Sequence, residues 1–284
     1  MARSDGADHR LPVTKRGLPA WTDFSTYPIA GRHPKPRSEG LTMVLDKGMG
    51  LGETRDLLDL AGGYVDLIKI SFGSSALYPP EVLRRKLALI REYGVGTCPG
   101  GTLLEVALFQ GVLDRYLGWA EKCGFTWLEV SDGTIEMPQT ARSTCIRLAV
   151  RHGFRVVSEV GKKDSHQRLD PAGVGRQARS DLDEGAVKVI VEARESGRGV
   201  GIYGDDGQVK HDDLEEIVSF LPDPRVIMWE APLKNQQEAL IRRFGPNVNL
   251  GNIQPGEVIA LESLRVGLRS DTLKTCLPKK EGER

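Results

Sequence analysis

From residue 40 onward two kinds of stretch alternate along the chain. Short apolar runs, rich in β-branched residues, stop at a charged or small polar residue, and longer stretches follow in which apolar side chains recur every three or four positions. The segment at 187–192, Val-Lys-Val-Ile-Val-Glu, is representative: its apolar part gives way to Glu192, Arg194, Glu195 and a small polar loop. A short apolar run closed by turn residues reads as a buried strand, and the three-and-four spacing reads as an amphipathic helix. The pattern predicts eight strands, at 42–46, 65–70, 94–97, 126–130, 154–160, 187–192, 225–230 and 248–253. Helices are predicted between them, among others at 80–92, 103–123, 141–152, 212–221 and 233–244, with a closing helix at 257–268. Gly94, Gly124, Gly153 and Gly185 fall near helix ends, where a residue free to turn left-handed makes a C-terminal cap.

Strands that alternate with helices pair in parallel through right-handed crossovers, and a count of eight favours closure over an open doubly wound sheet. The expected fold is therefore α/β, a (βα)8 TIM barrel, with its weakest strand third in order. Ahead of it, residues 1–39 carry Pro12, Pro19, Pro28, Pro34 and Pro36 with no sustained periodicity. They predict an extended or partly disordered Pro-rich arm that packs locally through Trp21, Phe24 and Tyr27. The catalytic domain is expected at 40–272 and a polar tail at 273–284.

Charge changes the picture little at the global level. In 284 residues Lys plus Arg number 39 and Asp plus Glu number 39, so no overall bias draws the chain to nucleic acid or a membrane, and an anion site has to be built locally. Cys98, Cys123, Cys145 and Cys276 form no CxxC pair and suit a reducing compartment. No apolar stretch reaches the roughly 20 residues that span a bilayer. The expectation is a soluble, cytoplasmic protein.

In such a barrel the C-terminal strand ends converge on one mouth, so their charged residues belong to a single cleft. The exits supply Asp46 and Lys47; Lys69 and Ser71; Gly100 and Gly101; Glu129, Ser131 and Asp132; Glu159, Lys162 and Lys163; Glu192, Arg194, Glu195 and Ser196; Glu230; and Asn252. Several carboxylates around one mouth repel each other unless a cation sits among them, and hard oxygen ligands suit Mg²⁺ or Mn²⁺ rather than zinc. Basic residues left over would hold an anionic substrate such as a phosphate ester. Lys162 is a candidate general acid or base, because desolvation and neighbouring cations lower a lysine's pKa. Taken singly, each of these charges reads equally well as a cap, a salt-bridge partner or a lysine at the rim. No histidine lies at a strand exit, and no nucleophile triad is present.

Seven short motifs sit at these exits: GLTMVLDKG at 40–48, PGGTL at 99–103, VSDG at 130–133, EVGKK at 159–163, RESG at 194–197, EAP at 230–232 and NLGNI at 249–253. Together they resemble the phosphosulfolactate synthase family of coenzyme M biosynthesis, over residues 40–272. The resemblance implies a Mg²⁺-dependent (βα)8 barrel, homotrimeric in the family, that adds sulfite to phosphoenolpyruvate to give (2R)-2-phospho-3-sulfolactate. It implies that Lys162 delivers a proton at C2, and that the metal ligands come from Glu129, Asp132, Glu159, Glu192 and Glu230. Lys47, Lys69 and Arg194 are then expected to act on the phosphate, carboxylate or sulfite, with Ser196, Gly197 and Asn252 assisting by hydrogen bonds. Two alternatives stay open: another Mg²⁺-dependent enolate reaction on a phosphorylated acid, and a non-catalytic barrel like the plant heat-stress-associated proteins, which the chain is also similar to.

Overall fold

The computed structural model describes residues 25–161 and 169–277. Lys162, Lys163, Trp21 and Phe24 lie outside the described residues. Eight strands run parallel: β1 (Thr42–Asp46), β2 (Leu67–Ile70), β3 (Gly96–Cys98), β4 (Trp127–Val130), β5 (Arg155–Val160), β6 (Lys188–Val191), β7 (Ile227–Glu230) and β8 (Asn249–Ile253). Their hydrogen-bonded order is β3-β2-β1-β8-β7-β6-β5-β4. At the seam between β3 and β4 the Thr126 N–H donates to the Thr97 carbonyl at 3.2 Å, and the Thr126 hydroxyl accepts from the Thr97 N–H at 3.0 Å. A side-chain oxygen thus stands in for one ladder carbonyl, and the barrel is nearly closed.

Ten α-helices occur among the described residues: α1 (Leu51–Ala61), α2 (Pro80–Glu92), α3 (Gly101–Phe109), α4 (Leu113–Cys123), α5 (Gln139–Arg151), α6 (Pro171–Asp183), α7 (His211–Ser219), α8 (Lys234–Phe244), α9 (Val258–Arg265) and the short α10 (Ser270–Leu273). Local chemistry explains several starts. The Asp170 carboxylate accepts from the Gly173 N–H at 2.9 Å with Pro171 in the first turn, and the Glu53 carboxylate reaches back to the Gly50 N–H at 2.7 Å. Gly94, Gly124, Gly153 and Gly185 follow their helices with φ of 63°, 97°, 85° and 112°, as the capping expectation requires.

The barrel interior is filled by Leu41, Met43, Leu67, Cys98, Trp127, Val157, Ile190 and Met228. Trp127 leaves no room opposite it: a Cβ on Gly96 would lie 2.3 Å from the indole nitrogen. That is why β3 begins on glycine and gave so weak a strand signal. Outside the strands, larger apolar layers join the sheet to the helices.

All eight predicted strands are present, with ends shifted by no more than two residues. One predicted element is corrected. The single helix at 103–123 is two helices, separated at Gly111 (φ 68°), where the Val112 N–H bonds the Ala107 carbonyl at 2.8 Å. The three-and-four apolar spacing continues across the break, so only the glycine marked it.

Residues 25–39 run without helix or strand along the N-terminal end of the barrel. The Ile29 N–H bonds the Val266 carbonyl at 3.1 Å, Arg32 grips Glu262 through two bonds of 2.8 and 3.1 Å, and Arg37 meets Asp66 at 2.8 Å. Among the described residues no helix is long and apolar enough to cross a membrane.

Candidate active site

Parallel strands turn alternate side chains inward, and at the C-terminal end of the barrel this brings four strands to one buried point. Lys69 of β2 places its ammonium 2.7 Å from Glu129 of β4, 3.3 Å from Glu159 of β5 and 3.6 Å from Glu230 of β7. All four residues are buried. Burial opposes the charge on Lys69, yet the three carboxylates together hold its pKa well above the ordinary lysine range. The arrangement favours the charged ammonium.

Each carboxylate is also held from its own side. Gly101, the first residue of α3, donates its N–H to Glu129 at 2.8 Å. A Cβ on Gly101 would stand 2.9 Å from that carboxylate and 2.2 Å from the Ser131 hydroxyl, so the helix start approaches this closely only as glycine. Glu230 accepts from the Ala193 N–H at 3.0 Å and shares a side-chain hydrogen bond with Glu192. Burial pushes the Glu230 carboxyl up to about 7; Lys69 opposes this and the Glu159 charge adds to it. Glu192 in turn accepts from the Arg194 N–H at 2.5 Å.

The remaining expected residues occupy different places. Lys47 pairs with Glu195, joining the β1 and β6 exits across the rim. Arg194 is exposed, stands in the left-handed region (φ 56°), and its guanidinium has no ion-pair partner among the described residues. Ser196 is exposed, and its hydroxyl accepts from the Arg198 N–H at 3.4 Å. Gly197 is buried; its N–H goes to the Ala193 carbonyl at 3.2 Å and its carbonyl accepts from Gln236 at 2.6 Å, so its backbone is spent on the loop itself. Asn252 (φ 55°) donates to the Arg194 carbonyl at 3.5 Å, and its own side-chain oxygen is buried with no hydrogen-bond partner among the described residues. Asp132 stands apart from the Lys69 cluster, 3.1 Å from Arg142.

Three buried charges at this end were not singled out from the sequence. Glu105 of α3 accepts from the Ser131 hydroxyl and from the N–H groups of Thr134 and Ile135, fixing the loop after β4. Lys86 of α2 pairs with Asp46 and donates to the Met49 carbonyl at 2.6 Å, which makes Asp46 an anchor for the β1 exit. Arg142 of α5 contacts Asp132, Asp181 and the Glu159 carbonyl. All three sit in helices, where a charge on a periodic pattern reads as a solvated face; the one signal was their placement among apolar neighbours.

Among the described residues Glu129, Glu159 and Glu230 meet at the Lys69 ammonium, Glu192 hydrogen-bonds Glu230, burial pushes the Glu230 carboxyl up, and the Asn252 oxygen at the adjoining exit has no donor. This donor set, all hard oxygens, fits a divalent cation in kind. It is not a ready-made cage: among the described residues, no three acidic, histidine or cysteine side chains are arranged to hold a metal.

Residues 30–271 match the model of one protein family, described as "(2R)-phospho-3-sulfolactate synthase (ComA)". The chain is 45% identical to phosphosulfolactate synthase of Methanothermobacter thermautotrophicus over 253 residues, covering 88% of this chain and 96% of that protein. It is 41% identical to phosphosulfolactate synthase of Methanocaldococcus jannaschii, covering 82% of this chain and 93% of that protein. Among solved structures, a 3-hexulose-6-phosphate synthase superposes with a TM-score of 0.53 at 13% identity, over 79% of this chain and 99% of its own, a likeness of fold.

Proposed function

The chain belongs to the (2R)-phospho-3-sulfolactate synthase family of carbon–sulfur lyases, and from that premise we propose that it adds sulfite to phosphoenolpyruvate, giving (2R)-2-phospho-3-sulfolactate. The observation that carries the proposal is the buried Lys69 ammonium held among Glu129, Glu159 and Glu230 at the C-terminal mouth of a barrel of this family. Both substrates are anions, and the product joins them. Bringing them together requires cations at the rim and a polar interior already in place before the charge moves.

Among the described residues, Lys47 and Arg194 are the rim cations this reading gives to the substrates. Arg194 is exposed with no ionic partner among the described residues, and Lys47 is held by Glu195, which an incoming phosphate or carboxylate would displace. The sulfur lone pair attacks C3 of phosphoenolpyruvate, and the C2=C3 electron pair moves toward C2 and the carboxylate. A proton then arrives at C2. The family resemblance gives that transfer to Lys162, in the segment outside the described residues. Lys69, whose charged form its three partners favour, balances the carboxylates and holds them in register.

A divalent cation, Mg²⁺ in this reading, would be held by Glu159, Glu192, Glu230 and the Asn252 oxygen, and would supply positive charge opposite the developing charge on the substrate carboxylate. Glu129 is committed to Lys69 and the Gly101 N–H, and Asp132 to Arg142, which leaves them the weaker members of the expected ligand set.

The test is phosphorus NMR with mass spectrometry on purified protein incubated with phosphoenolpyruvate and sulfite, with Mg²⁺ and with a chelator. The expected result is a Mg²⁺-dependent phosphate ester with the mass of phosphosulfolactate. No such product from folded protein overturns the reading, and product that survives chelation overturns its metal.

A further inference from the structure

The exits of β4 and β5 are neighbours in the sheet, and one guanidinium ties both of them to a helix behind them. Arg142 projects from α5 and is 1% exposed. Its Nε and Nη2 atoms meet the Asp181 carboxylate of α6 in bonds of 2.9, 3.1 and 2.6 Å. Nη1 reaches Asp132 Oδ1 at 3.1 Å, and Nη2 also donates to the backbone carbonyl of Glu159 at 2.8 Å. Gln177 completes the shell by donating to Asp181 at 2.8 Å.

The network has a dry end and a wet end. The side chains of Arg142 and Asp181 are 1% and 0% exposed, whereas that of Asp132 is 34% exposed. Stability alone accounts for the dry end, because a guanidinium taken out of water needs its bidentate carboxylate. The remaining N–H groups of the buried guanidinium need acceptors too, and the ones they take belong to the two exits flanking the mouth, so the bonds that satisfy Arg142 also fix those exits. An aspartate one-third in solvent would sample several rotamers; with Oδ1 held by Arg142 it has one orientation. The bond to the Glu159 carbonyl fixes, from the same guanidinium, the strand end that delivers Glu159 to Lys69.

We propose that Arg142 is a positioning residue for the reaction, acting through Asp132 and the end of β5 to hold both exits in the geometry turnover requires. The proposal rests on the synthase reading. It concerns the rate of the bound complex and not substrate capture, since a buried residue behind the strands touches no substrate. Small displacements of reacting or orienting groups lower turnover while leaving ground-state affinity nearly unchanged.

The experiment is a double-variant cycle on the full chain with Arg142→Lys, Asp132→Asn and both together, measuring kcat, KM for phosphoenolpyruvate and the thermal midpoint. Lysine keeps the charge opposite Asp181 but cannot reach four acceptors at once. The expected result is a kcat lower by about 10- to 100-fold in each single variant, with KM within about threefold, the scale on which supporting contacts act. Because both changes remove the same bond, the double variant is expected to be no slower than the slower single one. A kcat within twofold of wild type in Arg142→Lys overturns the proposal, and so do losses that multiply in the double variant. Wild-type protein without turnover of phosphoenolpyruvate and sulfite instead overturns the synthase reading, and the proposal with it. If Arg142→Lys does not fold, Asp132→Glu decides the matter: it keeps the charge at a partly exposed site while moving the carboxylate off its anchor. A kcat loss as large as that of Asp132→Asn supports positioning, and wild-type kcat overturns it.

Discussion

The two ends of the barrel bury charge in opposite ways. At the N-terminal end buried cations are matched to backbone carbonyls and carboxylates. Arg265, fully buried, donates to the carbonyls of Pro246 and Val248 at 2.6 and 2.7 Å, Lys188 donates to that of Arg225 at 2.7 Å, and Asn249 uses its oxygen on Leu41 and its amide on Arg225 and Ile227. The Arg32–Glu262 and Arg37–Asp66 pairs pin the incoming arm over these bonds. At the C-terminal end acids crowd one another around Lys69, and the three non-glycine residues with positive φ among the described residues, Phe72, Arg194 and Asn252, all stand at strand exits on this side. Strained backbone and repelling charges persist where a fold holds them in place for use. The contrast separates an end organised for stability from one in which stability is surrendered.

Replacing Lys69 by methionine tests that contrast most severely. It leaves Glu129, Glu159 and Glu230 buried together without their ammonium. The expected loss is about 5 kcal/mol at neutral pH, at the upper end for a broken buried pair, together with turnover reduced by at least about a hundredfold. Urea denaturation and steady-state kinetics measure both; a variant of unchanged stability would mean that the three carboxylates do not depend on the lysine. Arg37→Ala is the matching change at the other end. A loss of about 3 kcal/mol is expected there, since Asp66 keeps the Thr42 N–H. Turnover per folded molecule should stay at the wild-type level, and a fall beyond about twofold would dissolve the distinction between the two ends.

The same division governs what could be read from the sequence. Strands and their order were legible because each is a short apolar run closed by a charge, and the mouth followed from topology: once the runs are parallel, Lys69, Glu129, Glu159, Glu192 and Glu230 must share one end. Direction within the mouth was not legible. Whether Lys69 faces a substrate or three glutamates depends on side-chain reach across the barrel, and nothing local to β2 encodes it. The buried helix charges Lys86, Glu105 and Arg142 were missed because three-and-four spacing predicts a face, while their partners, Asp46, Ser131 and Asp132, lie on other elements. Gly197 is a different case. It was expected to assist by hydrogen bonds, but its N–H goes to the Ala193 carbonyl and its carbonyl to Gln236, and a Cβ there would lie 2.8 Å from Pro232 and Gln236, so the glycine serves close packing within the loop.

A smaller effect, and a sharper one, belongs to Glu230. Burial holds its carboxyl near 7 in the folded protein, against an ordinary value near 4.3 in an unfolded chain. Over the interval between those values the folded state binds the extra proton, so stability falls as pH rises. The contribution is complete below about pH 4.3 and is lost as pH passes through about 7. Glu230→Gln keeps the shape and removes the titration. In chelator, its urea midpoint should change less between pH 5 and pH 8 than that of wild type, with about 3 kcal/mol of wild-type stability absent at the alkaline end. Parallel pH profiles for the two proteins would refute the assignment of the strain to this carboxylate. Adding Mg²⁺ sharpens the outcome further: a cation among these oxygens favours the ionised carboxylate, so the alkaline loss in wild type should shrink with metal while the glutamine variant responds more weakly.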